Sequence, residues 1–171
     1  MTKAELLVDG YERLRDAVYP AVNGLQVDEL AYRPDSGANS IAWLAWHLTR
    51  LQDEAVAALA ADRPRWTAGG WFDRFALPLE PHDTGFGHDS RRAALVIAPA
   101  GLLLDYFEDV HRRTIGWVRP LGDRALDRVV DGEEVPPATV EHRLVAVLVD
   151  DLQHVGQAAY LRGIVQRGMR P

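Results

Sequence analysis

Apolar residues recur at helical spacing in four long stretches of the chain, separated by segments rich in glycine, proline and charge. Leu7, Tyr11, Leu14 and Val18 fall three and four positions apart, with Leu6 and Ala17 widening the stripe, which predicts a first helix with one buried face. Thr2 and Glu5 have the S/T-x-x-E spacing of a capping box, so this helix should begin at the very N-terminus. Pro20 and Gly24 bring it to a close. "VDELAYRPDSGANS" then reads as a short turn of helix and a loop. Asn39 or Ser40 suits the cap of a second helix, "IAWLAWHLTRLQDEAVAALA", ending near Asp62-Arg63-Pro64.

The periodicity breaks over residues 63–89, where glycines and prolines are mixed with Trp66, Trp71, Phe72, Phe75 and Phe86. A connection of that length in a compact fold is ordinarily functional or packed by its own aromatics, and a lid over a pocket is the expectation. "SRRAALVI" predicts a short helix. Pro99 suits the first turn of a third main helix, "PAGLLLDYFEDVHRRTIGWV", which stops at Pro120 and Gly122. A polar loop with Gly132 and Pro136-Pro137 follows, and Val129-Val130 with Val135 predict a small β-ribbon. Thr139 can cap the last helix, which runs to about Arg167. Four main helices with little strand pattern predict an all-α four-helix bundle, one domain over residues 1–171. Its long connection between helices two and three allows a departure from simple up-down order.

Composition narrows the partners. Hydrophobic residues make up 47% and charged residues 26%, which fits a folded soluble protein and argues against disorder. A formal charge of −6 with no basic run argues against nucleic acid or an anionic membrane as partner. No apolar stretch approaches the roughly 20 residues of a membrane span. The N-terminus lacks the charged-then-apolar layout of a signal peptide, so a cytoplasmic location is expected. The sequence contains no cysteine. That removes disulfides, thiolate metal sites and a cysteine nucleophile, and leaves His and carboxylate as metal ligands. There is no G-x-S-x-G and no phosphate-cradling glycine motif, and Ser36, Ser40 and Ser90 fall in loops or caps.

Against this background the fourth helix is unusual. Leu144, Val147, His154, Leu161 and Val165 mark its inward stripe, yet Asp150 lies one turn before His154 and Gln157 one turn after it. Polar groups on an inward stripe need partners, because unpaired burial is costly. On helix two, Trp43, His47, Arg50 or Leu51, and Glu54 share a face, and His47 sits among Ile41, Trp43, Leu44, Trp46 and Leu48. His47, Asp150 and His154 can therefore form a His₂-carboxylate site with an open position, the arrangement of catalytic zinc. Asp151, three residues before His154, is also within reach, and spacing leaves both aspartates open. The competing explanation is a hydrogen-bonded core histidine and a chance D-x-x-x-H pair on a solvated face.

Other clusters compete with this one. His82 and His88, with Asp83 and Asp89, suit turns, caps or a lid as well as a metal. Glu108-x-x-His111 and Asp151-x-x-His154 resemble half of a di-iron bundle, but helix two has no E-x-x-H and would strand His47. Glu54 and Asp53 fit either the surroundings of the site or a solvated face.

"SIAWLAWHLTRLQDE" with "DDLQHVGQAAYLRG" resembles the DinB-like superfamily of metal-binding four-helix bundles. The closest likeness is to a bacterial branch, formerly a domain of unknown function, related to mycothiol-dependent S-transferases and maleylpyruvate isomerase. The resemblance spans the chain, including "GFGHDSRRAALVIAPAGLLLDYFEDVH", and its most specific element is the H-x-G-Q of His154 to Gln157. It implies His47 as the helix-two ligand and His154 as the last ligand. Asp150, rather than Asp151, would stand where the triple-His form has a histidine. It further implies zinc, or nickel or another divalent ion, in a thiol S-transferase or related isomerase. Such an enzyme uses mycothiol or bacillithiol as cosubstrate against an electrophilic small molecule, and homodimers are plausible. Trp43, Trp46 and the loop aromatics would wall the pocket, Arg50 would bind an anionic group, and Gln157 and Asp151 would lie beside the ligands. A non-catalytic binding or dimerisation module of stress response and a metal-dependent hydrolase are the alternatives.

Overall fold

The computed structural model describes residues 1–131 and 137–168; Gly132, Val135 and Pro136 of the anticipated loop and ribbon lie outside them. Helix α1 (Lys3–Val22) opens with the anticipated capping box. The Thr2 hydroxyl accepts the Glu5 N–H at 3.1 Å, and the Glu5 carboxylate accepts the Thr2 N–H at 2.8 Å. It continues through Pro20, two residues past the expected stop. Pro20 and Asp16 are both exposed, so the carbonyl that Pro20 leaves without a donor faces water. After α2 (Val27–Ala31), the Ser40 hydroxyl accepts the Trp43 N–H and caps α3 (Ile41–Leu59). The chain then makes α4 (Arg65–Ala68), α5 (Trp71–Phe75) and α6 (Ser90–Ala93) before α7 (Ala100–Val118) and α8 (Asp123–Leu126). Strands β1 (Val129–Asp131) and β2 (Ala138–Thr139) pair antiparallel, and Thr139 Oγ1 caps α9 (Val140–Gly168) by accepting the His142 N–H.

Four of these helices form the bundle. Helix α3 packs along α9 and α7, and α1 packs along the same two, so α1 and α3 lie largely across the bundle from each other. The α3–α9 seam that results brings together the two helices with the polar inward positions. No helix among the described residues is long and apolar enough to cross a membrane.

The 63–89 connection is not a lid over most of its length. Trp66, Trp71 and Phe75 are buried against Tyr106 of α7, with ring centroids 5.2, 5.5 and 5.8 Å away. Asp53 holds the segment from below. Its carboxylate accepts the Arg65 and Trp66 N–H groups at 2.7 Å each, at the start of α4, and the Tyr106 hydroxyl at 2.9 Å. Asp53 therefore belongs to the core, neither on a solvated face nor beside His47, because backbone donors replace its water.

Candidate metal centre

His47 projects from α3, and Asp150 and His154 project from α9 one turn apart. One ligand atom from each lies within 4.8 Å of the others, and among the described residues no other set of three such side chains converges. The His154 Nε2 is 3.4 Å from the Asp150 Oδ2, and the two imidazole rings stand nearly perpendicular, 4.9 Å between centroids.

His47 is fixed in one tautomer. Its Nδ1 faces the Thr84 carbonyl, which can only accept, so Nδ1 carries the proton and Nε2 keeps a lone pair. Trp43, one turn earlier, stacks on the ring at 4.4 Å and 20° and meets His154 edge-on. Burial pushes the His47 pKa down, against the raising effect of the Thr84 hydrogen bond. The ring is thus neutral at pH 7, the form that binds metals.

The carboxylate supplies the test of fit. Asp150 Oδ2 is a buried atom with no hydrogen-bond donor, and His154 Nδ1 is likewise buried without a partner. A carboxylate oxygen turned toward an imidazole nitrogen, with no hydrogen bond to satisfy it, is an arrangement that a shared cation would complete. Two imidazoles and one carboxylate match the donor set of catalytic zinc and suit nickel as well.

A short loop clamps the centre from outside. Asp83 accepts the Gly85 N–H at 2.8 Å and the His88 Nε2–H at 2.9 and 3.0 Å, and Trp43 Nε1–H donates to His88 Nδ1 at 3.1 Å. Burial alone would raise the Asp83 carboxyl. The hydrogen bonds from His88 and Gly85, with the charge of Arg92, hold it below the usual range instead. Gly85 has φ +90°, and a Cβ there would stand 2.8 Å from His47 Nδ1, so only glycine lets the loop approach the ring this closely. His82 is exposed, and Asp89 caps α6 through the Arg92 N–H. Thr84, whose carbonyl orients His47, had no signal in residue type; the glycines and the Asp83–His88 pair in "HDTGFGHD" were the available clue.

Several anticipated pocket residues lie elsewhere. Arg50 has no exposed surface: it donates to the Asp83 carbonyl at 3.1 Å and to Glu54 at 2.7 Å, and lies over Trp66. It is an internal strut, because its charge is paired and stacked within the core, and it has no surface for a ligand's anion. Trp46 is buried behind the site, stacked on His88 and edge-on to Trp66. Trp43 backs the ligands themselves. Gln157 is exposed. Asp151 is fully buried near Tyr11 of α1, and burial, reinforced by the charge of Asp150, pushes its pKa far up. Glu108 pairs with Arg15, and buried His111 sits 3.3 Å from Glu12, both in the α1–α7 seam.

Beside the three ligands opens a cavity of about 980 Å³ between α3 and α9, lined by Leu51, Ala55, Ala58, Val147 and the exposed Phe86. A model of the DinB superfamily matches residues 11–158. The chain belongs to the DinB superfamily. That superfamily includes metal-dependent enzymes, and the His47, Asp150 and His154 group is a possible metal site of this DinB protein. Among solved structures, the crystal structure of a conserved protein from Enterococcus faecalis is similar, with a TM-score of 0.90 and 29% identity over 98% of this chain and 99% of that one. No curated protein matches this DinB sequence.

Proposed function

We propose that the protein is a divalent-metal-dependent S-transferase, or a related isomerase, that uses a low-molecular-weight thiol, mycothiol first, against an electrophilic small molecule. One observation carries the reading: His47, Asp150 and His154 converge beside a large, mostly apolar cavity in a chain with no cysteine. The sulfur nucleophile must then come from a cosubstrate. Zinc is the first choice of ion and nickel the next. When bound, the ion lowers the pKa of a thiol at its open side, so that thiolate forms near neutral pH.

The chain's own residues do the rest. His47, with Nδ1 engaged by Thr84, presents Nε2 in a fixed direction, and Asp150 and His154 close the other side. Leu51, Ala55, Ala58 and Val147 keep water from the electrophile. In the transfer, the thiol gives its proton to solvent, a sulfur–carbon bond forms, and the bond from that carbon to the leaving group breaks. The leaving group departs with the electron pair; from an epoxide, the oxygen stays on the product and takes up a proton. In this reading the protein acts in the cytoplasm on small molecules.

Metal analysis of the purified protein should find about one divalent ion per chain, absent from His47→Ala and His154→Ala. Full retention in both variants would remove the site. Consumption of mycothiol, bacillithiol or glutathione with monochlorobimane should stop on chelation and return with zinc. Metal retained without thiol consumption across a range of electrophiles would remove the transferase, and thiol-independent hydrolysis would make water the nucleophile.

A further inference from the structure

We propose that the outer face of α9 is a contact surface for a second copy of this chain, with the two α9 helices antiparallel across a two-fold axis near Leu152, whatever reaction the metal centre carries out. Val145, Val149, Leu152, Gly156, Ala159 and Gly163 follow one another at alternating intervals of four and three, the spacing of a seam between two packed helices. The large members of this row are open to solvent: Val145 is 46% exposed, Val149 49% and Leu152 42%, and Tyr160 beside them is 70% exposed. The ligands Asp150 and His154 and the buried Leu144, Leu161 and Val165 occupy the other sides of the helix. Every exposed residue of α9 from 145 to 160 is uncharged, in a chain whose residues are 26% charged. Depletion of charge from a continuous apolar row marks the centre of a protein interface. Helix α1 runs beside α9 in the same direction, since Lys3 pairs with Glu141 at one end and Arg162 donates to the Asn23 carbonyl at the other. Exposed Leu6 lies one turn before Gly10, which faces Leu148, so it widens the apolar surface at the Val145 end.

The row is complementary to itself in shape and in charge. Its first half is bulky, with Val145, Val149 and Leu152, and its second half is small, with Gly156, Ala159 and Gly163. A parallel pair would set bulk against bulk and leave a gap between the small ends. An antiparallel pair centred on Leu152 sets Val149 over Gly156 and Val145 over Ala159 of the second copy, and the two-fold axis repeats each contact. Glycine weakens a helix interior, and a Cβ on Gly156 would meet nothing within 4 Å, so packing inside the chain does not call for it. The notch it leaves fits a valine arriving from outside. The ends match as well. Residues 161–168 of α9 carry Arg162 and Arg167 and no acid. Antiparallel pairing brings these arginines toward the first turns of the other copy's α9 and α1, where Glu141 and the exposed Glu5 stand. The two helix dipoles then run in opposite directions, which adds to the attraction.

Mass and cross-linking of the full chain test this. Sedimentation equilibrium at micromolar concentration should give twice the 19.0 kDa of one chain. The double substitution Val149→Glu, Leu152→Glu should reduce it to the mass of one chain, with the circular dichroism spectrum unchanged because both positions are exposed. The sequence has no cysteine, so an introduced thiol is the only one on its chain and reports the register. Under mild oxidation Leu152→Cys should join to itself, and a mixture of Val149→Cys and Gly156→Cys should yield the mixed pair. Val149→Cys should not join to itself, since positions seven residues apart along antiparallel helices are separated by about 10 Å, beyond the reach of a disulfide. A parent protein with the mass of one chain overturns the contact, and so does a dimer that survives the double substitution. Self-joining of Val149→Cys without the mixed pair overturns the antiparallel arrangement.

Discussion

At the scale of single residues, the centre depends on groups that never touch an ion. The orientation of His47 comes from a backbone carbonyl at Thr84, and that carbonyl is held in place by Asp83, which gathers the Gly85 N–H, His88 and Arg92. Partners of this kind set the direction and basicity of a histidine ligand. Asp83→Asn should therefore lower zinc affinity roughly ten-fold or more, read by competition with a chromophoric chelator. Affinity unchanged from the parent would show that the loop does not orient His47. The sequence made Asp150 and His154 legible because i, i+4 spacing is a local property of a helix, and His47 because it stands among apolar residues on helix two. Spacing alone could not choose between Asp150 and Asp151, and it was the family resemblance that pointed to Asp150: adjacent helical positions point about 100° apart, and the packing of α1 decides which of the two is enclosed. The structure buries Asp151 completely, on the side of Tyr11, and turns Asp150 toward His154.

At the scale of elements, buried polar side chains tie helices to one another. Asp53 on α3 joins the start of α4 to Tyr106 of α7. Asp53→Ala would strand two backbone donors and a tyrosine hydroxyl, and should cost about 2–4 kcal/mol in chemical denaturation. A loss under 1 kcal/mol would mean that water takes over those donors. In the α1–α7 seam, burial lowers the pKa of His111, against the raising influence of Glu12 and Glu108 and with that of Arg15. A base whose folded pKa is depressed takes up a proton on unfolding at mildly acidic pH, so stability is present above the unfolded value of about 6.5 and falls as pH drops through it. Between pH 7 and 5, stability should fall less steeply in His111→Gln than in the parent protein. Identical slopes would show that His111 titrates alike in both states. The caps at Thr2, Ser40 and Thr139 were readable, as were the short helices α2 and α6, whereas α4 and α5 were not: they lie in the glycine- and proline-rich stretch 63–89, where the apolar pattern is broken.

At the scale of the whole molecule, the DinB bundle creates the centre by pairing α3 with α9, helices that are not successive in the chain. Zinc that binds only the folded state should raise the melting temperature, with about 2.7 kcal/mol of added stability at a hundred-fold excess over its dissociation constant. His154→Ala should show no such rise in thermal denaturation; a rise equal to that of the parent protein would place the ion elsewhere. The sequence by itself determined what local periodicity and composition can carry: the four amphipathic helices, their caps, the aspartate and histidine one turn apart, and the lack of a thiol. Only the tertiary structure decided which helices face each other, that Arg50 and Asp53 are internal, and that the aromatics of residues 63–89 fill the core. The physical reason is one of range: helical spacing fixes neighbours within a turn or two, whereas burial, charge pairing and distances between helices follow from how their side chains pack together.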